Sequence, residues 1–404
     1  MVKIDPFEVE QWMDRYENTP GIHNIAETCA ASVSIEDLEA FSTDDNTTRP
    51  LSRSLKLTYG HIRGSPGFRK NVTALLNSGT PLATSSPRPA PLQADSVLIT
   101  QGAIAANFLA FYTLVGPGDH VICVYPTYQQ LYSVPQSLGA QVDLWRLKPE
   151  DGYISDVAEL ERLAKPNTKL IVVNNPNNPT GATTPESILA AIVEFAQARN
   201  ITILSDEVYS PLYHSLPAGQ KAPPSILSFG YENAVATGSM SKAFALAGIR
   251  VGWLASRNRS LIDSIAHARD YTAISVSQLD DQVATYALSP AVLPSLMERN
   301  MNLARTNLQL LGSFVEKYSS VCSWVRPTAG TTAFIQFRKN GVPVDDVELA
   351  VQLVERKVMF LPAGHCFGHG KDFKGYVRLG YVCHTDVLKE GLDNLGRYVE
   401  EKLL

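Results

Sequence analysis

The sequence predicts an α/β protein with a mainly parallel sheet, followed by a smaller α+β domain. From residue 96 to about 290, short apolar runs alternate with helix-like stretches, a rhythm typical of buried strands joined by crossover helices. After about Pro290, long amphipathic helices alternate with two strand-like segments, TTAFIQF and GYVRLGY. We therefore expect a large domain over 46–290 and a small domain over 291–404. The N-terminal segment, 1–45, is expected to pack on the small domain or near the functional site.

The large domain contains seven predicted strands, and helices are expected to cover both faces of their sheet. In chain order the strands are SVLIT, HVICVYP, QVDLWRL, KLIVVNNP, ITILSDEVY, AVATGSM and RVGWLAS. Helices are predicted for AANFLAFYTLV and SILAAIVEFAQAR in this domain, and for the closing segment DVLKEGLDNLGRYVEEKLL in the small domain. Residues 77–94 are rich in Pro, Ser and Ala and lack a hydrophobic period, so we expect a surface loop or insertion there.

The composition argues against several classes of protein. Of 404 residues, 45% are hydrophobic and 19% charged, enough for a sizeable core, and 35 Lys and Arg face 40 Asp and Glu, without the basic excess of a nucleic-acid binder. The five cysteines are scattered without a CxxC pair, which indicates neither a disulfide framework nor a metal site. No stretch approaches the roughly 20 apolar residues of a membrane span, and the N-terminus lacks a signal-peptide pattern. We expect a cytoplasmic protein without a nucleic-acid or membrane partner.

The segment GSMSKAFALAGIRVGW carries the strongest chemical signal. Lys242 follows an apolar strand, with Ser239 three positions before it and Arg250 eight positions after it. Partial burial can lower the pKa of a lysine, as a nucleophilic amine requires. A serine hydroxyl and a guanidinium nearby can hold a phosphate group. A lone lysine after a strand is usually a solvated strand end, so the interpretation depends on two further motifs.

Two upstream strands also end in polar residues. Asp206 closes the buried run ITILSD, where an unpaired carboxylate is costly, so we expect a cationic partner such as a protonated pyridine nitrogen. Tyr209 follows three residues later, and Asn178 lies in the turn-rich end of IVVNNPNNPTG. Both side chains can donate a hydrogen bond to a phenolate oxygen. Turn formation alone also explains Asn and Pro at a strand end.

These three motifs, in this order, resemble the class I/II aminotransferases, which are fold type I enzymes that use pyridoxal 5'-phosphate (PLP). The resemblance covers roughly Leu57 to Arg397 and implies a large sheet domain with a smaller C-terminal domain. It implies that Lys242 binds the cofactor through a Schiff base. The other cofactor contacts it implies are Asp206 at the ring nitrogen, Tyr209 and Asn178 at the ring oxygen, and Ser239 and Arg250 at the phosphate.

The phosphate is also expected at the start of a helix. TQGAIAAN turns from a strand into a helix N-terminus, where backbone N–H groups of Gly102, Ala103 and Ile104 can bind an anion. Members of the family often carry a hydroxyl residue where this chain has Ala103 and Ile104. Backbone groups alone would therefore serve at this point.

Three further matches extend the resemblance. YPTY places Tyr128 where the family stacks an aromatic ring on the cofactor, and YGHIRGSPGFR places Tyr59 where a tyrosine crosses to the phosphate of the other subunit. GYVRLGY places Arg378 where an arginine binds the substrate α-carboxylate bidentately. The resemblance thus implies a homodimer with shared active sites. The two tyrosines also fit ordinary core or interface aromatics, and Arg378 fits an ordinary strand salt bridge.

The cofactor motifs imply an enzyme acting on an α-amino acid, with transfer of the amino group to an oxo acid as the default reaction. They do not separate transamination from cyclisation, elimination or oxidation. PGIHNIAETCA, RDYTAISVSQ and PTAGTTAF are similar to a subgroup that includes capreomycidine synthase, which cyclises a hydroxylated arginine. That similarity implies that Gly21, Ile22 and His23 line the substrate pocket beside Asn178 and Arg378. Glu17 or Glu27 would pair with a guanidinium; a structural histidine and solvated glutamates explain the same residues.

Overall fold

The computed structural model describes residues 4–44, 49–79 and 89–404. Half of the predicted loop at 77–94, and the boundary between 1–45 and 46–290, lie outside the described residues. The N-terminal segment contains α1 (Glu8–Tyr16), β1 (His23–Asn24) and α2 (Ile35–Ala40). β1 pairs in parallel with a C-terminal strand, with His23 opposite Val358. The division of the chain into 1–45, 46–290 and 291–404 stays a prediction.

The next part of the chain forms a seven-stranded sheet and its helices. The strands are β2 (Val97–Thr100), β3 (His120–Tyr125), β4 (Gln141–Arg146), β5 (Thr168–Asn174), β6 (Thr202–Asp206), β7 (Ala234–Ser239) and β8 (Gly252–Ser256). The helices are α3 (Pro66–Asn77), α4 (Gly102–Leu114), α5 (Gln130–Ser137), α6 (Ala158–Leu163), α7 (Glu186–Arg199), α8 (Arg259–Asp270) and α9 (Gln278–Ala287).

The sheet is mainly parallel and covered on both faces, as predicted. Its strand order is β2-β8-β7-β6-β5-β3-β4, and β8 alone runs antiparallel to its two neighbours. Successive residues of a strand point to opposite faces. In β5, Ile171 and Val173 enter one hydrophobic core while Leu170 and Val172 enter the other. This explains why the strands are continuous apolar runs.

The C-terminal region forms the smaller α+β domain that the sequence predicts. Its helices are α10 (Leu293–Lys317), α11 (Asp346–Glu355), α12 (Ala363–Cys366) and α13 (Thr385–Lys402). Its strands are β9 (Cys322–Trp324), β10 (Thr332–Lys339), β11 (Val342–Pro343), β12 (Val358–Met359), β13 (Leu361–Pro362) and β14 (Tyr376–Gly380). Five of them form an antiparallel sheet, and β12 instead pairs with β1.

The topology brings polar residues together at one edge of the large sheet. β5, β6 and β7 are neighbours, and their last residues are Asn174, Asp206 and Ser239. α4 begins directly after β2 at Gly102, whose positive φ of 76° suits glycine. The carboxyl ends of parallel strands are where α/β proteins bind ligands.

Candidate active site

A cavity of about 590 Å³ lies at this edge, between the strand ends, the N-terminal segment and β14. It contains most of the residues singled out from the sequence. The predicted residues that line it are Glu17, Glu27, Ala103, Ile104, Tyr128, Asn178, Asp206, Tyr209, Ser239, Lys242, Arg250 and Arg378.

Asp206 lies at the floor of the cavity with only 3% of its surface exposed. Its carboxylate accepts hydrogen bonds from Asn107 Nδ2 at 3.0 Å and from the Val208 backbone N–H at 3.2 Å. It forms no ion pair with any residue in the described part of the chain. Burial raises the pKa of Asp206 to about 6, although both hydrogen bonds oppose that shift. A cationic ligand group would relieve this cost.

Lys242 differs from the sequence prediction in its pKa. Its Nζ donates to Thr28 Oγ1 at 2.7 Å and lies 3.6 Å from Cys29 Sγ and 3.8 Å from Glu27 Oε1. Burial lowers the pKa of the amine, but Cys29, Tyr209 and Glu27 together outweigh burial, so the net pKa is raised. The prediction of a lowered pKa was therefore wrong for the free amine.

An anion cradle surrounds the start of α4. Its first N–H groups have no intrahelical partner, and Gln101 supplies no side-chain cap. The Arg250 guanidinium lies beside Gly102, where an added Cβ would sit 3.0 Å from Nη2. Ser239 Oγ and Ser241 Oγ are 2.9 Å apart in the same cavity. A helix N-terminus, a guanidinium and two hydroxyls form a set of groups that suits a phosphate.

Arg378 is a buried cation without a carboxylate partner among the described residues, and only 3% of its surface is exposed. Its Nη2 donates to the Ala26 carbonyl at 2.9 Å and its Nη1 to Asn178 Oδ1 at 3.3 Å. The buried Nε has no hydrogen-bond partner. The alternative of an ordinary strand salt bridge finds no carboxylate partner within the described part of the chain.

Two tyrosines complete the walls of the cavity. Tyr209 is buried, and burial raises the pKa of its phenol, so the hydroxyl stays a hydrogen-bond donor at neutral pH. Tyr128 donates to Glu10 Oε1 at 3.0 Å and packs against Phe7 with ring centroids 4.8 Å apart. The N-terminal segment thus contacts the tyrosine that was expected beside the cofactor ring.

Some predicted residues lie outside this cavity. Gly21, Ile22 and His23 do not line it, and His23 Nδ1 instead lies 3.2 Å from Glu390 Oε2 on α13. Tyr59 is 81% exposed and likewise does not reach the cavity of its own chain. Their predicted substrate-binding and cofactor-binding roles stay predictions.

Several cavity residues were missed from the sequence. Asn107 and Ser241 each had a local signal, since Asn107 interrupts the apolar face of a predicted helix and Ser241 stands two residues after Ser239. Thr28 had no such signal. Neither did the acidic residues Glu10 and Asp14, whose helix faces the cavity only in the folded chain.

The described residues contain no group of three or more His, Cys, Asp or Glu side chains placed to hold a metal ion. The same residues form no helix that is long and apolar enough to cross a membrane. All five cysteines are free. The cytoplasmic location stays a prediction.

Comparison with known proteins agrees with this geometry. The family model "Aminotransferase class I and II" matches residues 48–395. Capreomycidine synthase from Streptomyces vinaceus is 29% identical over 305 residues, which cover 76% of this chain and 74% of the relative. A PLP-dependent aminotransferase from Streptococcus suis 89-1591 superposes with a TM-score of 0.85 at 36% identity and 99% coverage of both chains. The PLP-dependent cyclase OrfR superposes with a TM-score of 0.84 at 25% identity and 98% coverage of both chains.

The groups that line the cavity match the polar groups of PLP. A buried carboxylate without a cation suits a protonated ring nitrogen, the anion cradle suits a phosphate, and an amine lies within the same cavity. The residues present therefore fit the cofactor. With its fold, this cavity and the match over most of its length, the chain belongs to the class I and II aminotransferase family, whose cofactor is PLP.

Proposed function

We propose that the protein transfers the amino group of an α-amino acid to an oxo acid, with PLP attached to Lys242. The observation that carries the proposal is the buried Asp206, which lacks a cationic partner in the described chain and shares one cavity with Lys242 and Arg378. When bound, PLP withdraws electrons from the α carbon of the amino acid, so that its proton can be removed.

The cofactor is held from both of its polar ends. Asp206 keeps the ring nitrogen protonated, because a charge pair relieves the cost of the buried carboxylate. The phosphate lies in the anion cradle. Tyr209 and Asn178 donate to the ring oxygen; Asn178 Oδ1 is already taken by Arg378, so its amide N–H groups remain for the ligand. Tyr128 packs against the ring.

The substrate lies between a cation and a base. Arg378 binds the α-carboxylate, which supplies the partner that its buried Nε lacks. Lys242, once its amine is free and unprotonated, would take the proton from the α carbon and later give it back.

We further propose a homodimer in which Tyr59 reaches the phosphate of the other subunit. Tyr59 belongs to an exposed apolar stretch with Leu57 and Ile62, which are 69% and 58% exposed. Large apolar patches of this kind are typical of protein interfaces. Light scattering gives the mass in solution, and mixing Lys242→Ala with Tyr59→Ala subunits should restore activity, because one mixed site then carries both native residues. Absence of restoration would contradict shared sites.

A second candidate function is a PLP-dependent cyclisation, elimination or oxidation of an amino acid with a cationic side chain. Glu10, Asp14 and Glu17 occupy one face of α1 and its extension, and all three line the cavity beside Glu27. These carboxylates remain after the cofactor and the α-carboxylate have used the cations of the cavity. They would attract a guanidinium or an ammonium group. The names of two similar proteins, capreomycidine synthase and the cyclase OrfR, favour the same candidate.

Single amino acids mixed with the PLP-loaded protein separate the two candidates. The visible spectrum reports the state of the cofactor, and mass spectrometry identifies the product. Transamination predicts one equivalent of oxo acid and conversion of PLP to pyridoxamine phosphate. A cyclised, eliminated or oxidised product with PLP regenerated would instead establish the second candidate. Arginine and lysine should react faster than norleucine, an uncharged control of similar length, if the acidic face selects the side chain.

A further inference from the structure

The turn formed by Glu27, Thr28 and Cys29 lies directly against the amine of Lys242. Thr28 Oγ1 accepts a hydrogen bond from Nζ at 2.7 Å, and Glu27 Oε1 lies 3.8 Å from the same atom. Tyr209, the tyrosine expected at the ring oxygen, lines the same cavity as this turn.

This turn is fixed by its neighbours on both sides. Thr331 Oγ1 donates to the Thr28 carbonyl at 2.6 Å, and the Ala30 N–H donates to the Lys242 carbonyl at 3.1 Å. Glu27 Oε1 accepts from the backbone N–H groups of Thr28 and Cys29 at 2.6 and 3.2 Å. The carboxylate is thus held toward the amine by the backbone of its own turn.

The groups facing the amine differ in their charge at neutral pH. Burial raises the pKa of Cys29 to about 11 and also raises that of Tyr209, so both are uncharged. The pKa of Glu27 is lowered, because Lys242 and the turn's hydrogen bonds outweigh burial, and Glu27 is therefore ionised. The Arg378 guanidinium lowers the pKa of the Lys242 amine, whereas the Asp206 carboxylate favours its charged form. Glu27 is the nearest charge, and Thr28 is the nearest acceptor.

We propose that Glu27 and Thr28 are positioning residues that hold the free amine of Lys242 as an ammonium and set the pH at which it gives up its proton. This inference rests on the proposed function, because it assigns a holding site to the lysine that carries the cofactor. The amine returns to this turn whenever its bond to the cofactor is broken. An ammonium has no free electron pair, so the amine must lose its proton before it can accept the proton of the substrate.

The test measures covalent attachment of PLP to the cofactor-free full-length chain between pH 6 and 9. Borohydride trapping at timed intervals gives the rate, and only the unprotonated fraction of Lys242 reacts. Glu27→Gln should lower the lysine pKa by about one unit and speed attachment at pH 7 about tenfold. Thr28→Val should shift the profile to lower pH by a smaller amount, about threefold in rate. Thr28→Ser should restore the native profile.

The outcomes separate this inference from the proposed function. Identical pH profiles for the native chain, Glu27→Gln and Thr28→Val would overturn the inference. A purely structural role would reduce the amount of competent protein without moving the profile. Glu27 is half-exposed, so Glu27→Gln keeps the test decisive if Thr28→Val does not fold. A native chain that never attaches PLP at Lys242 would instead contradict the proposed function.

Discussion

Near the amino ends of strands β3, β4 and β5, the Asp143 carboxylate lies close to two nitrogen-bearing side chains, His120 and Lys165. His120 is fully buried there, with its Nδ1 2.8 Å from Thr168 Oγ1 and its Nε2 3.1 Å from Asp143 Oδ2. Lys165 Nζ lies 2.7 Å from the same carboxylate. Asp143 and Lys165 therefore pair their charges within the protein at this end of the sheet.

The cavity at the carboxyl end of the same sheet contains two buried charges without such partners. Asp206 at the end of β6 and Arg378 on β14 of the C-terminal sheet form no ion pair with any described residue, although both are almost completely buried. Unpaired buried charges cost free energy of folding, so they persist where a ligand supplies the partner. The difference between the two ends locates the site without reference to any relative.

Of the changes at the two ends of the sheet, removal of Lys242 should have the largest effect on activity. Lys242→Ala deletes both the attachment point and the base, so we expect product formation from amino acids to fall at least about a thousandfold. Coupled detection of oxo acid or ammonia measures the rate. Lys165→Ala, at the opposite end of the sheet, is the control and should retain full activity. A Lys242→Ala protein with near-native turnover would contradict the assignment.

The next effect concerns the stability of the cofactor-free protein. The folded-state pKa of Asp206 is raised to about 6 from an ordinary 3.8, so stability is lost as pH rises between these values and stays lost above them. Asp206→Asn carries no charge to bury, so at pH 8 it should be more stable than the native chain by up to about 3 kcal/mol. The amide accepts at only one oxygen, which reduces the gain.

Urea unfolding at pH 4 and pH 8 measures this difference. The advantage of Asp206→Asn should shrink toward zero at pH 4, where the native carboxyl is also neutral. If Asp206→Asn and the native chain have equal free energies of unfolding at both pH values, the buried Asp206 charge does not destabilise the cofactor-free protein. The same substitution should lower turnover of the PLP-loaded enzyme, because the ring nitrogen loses its ionic partner.

A smaller effect is expected at the substrate carboxylate. Arg378→Lys keeps the charge but loses the bidentate fork, so KM should rise about tenfold while kcat changes less. Steady-state kinetics with the best amino acid from the substrate screen measure both constants. An unchanged KM would show that the α-carboxylate binds elsewhere.

The smallest effect should come from the opposite end of the sheet. Asp143→Asn removes a partly exposed ion pair with Lys165, so the free energy of unfolding should fall by no more than about 1 kcal/mol. Activity should stay native, because this cluster lies away from the cavity. A large loss of activity would break the distinction between the two ends.

Much of the fold, and the presence of most proposed cofactor residues in one cavity, could be predicted from the sequence. Strands such as β6 are apolar runs that end in a polar residue, so both the element and the position of Asp206 could be predicted. The raised pKa of Lys242 could not, because Cys29 and Glu27, which favour its charged form, come from a turn more than two hundred positions earlier. The acidic face of α1 was missed for a similar reason, since this helix meets the cavity only in the folded chain. The proposed contact of Tyr59 would lie on a second chain.

The most direct test of the central claim is the location of the cofactor on the chain. PLP-loaded protein is reduced with borohydride and digested, and its peptides are weighed by mass spectrometry. We predict that the added mass of the reduced cofactor lies on Lys242 and on no other lysine. Cofactor mass on a different residue, or none in a fully loaded protein, would contradict the account.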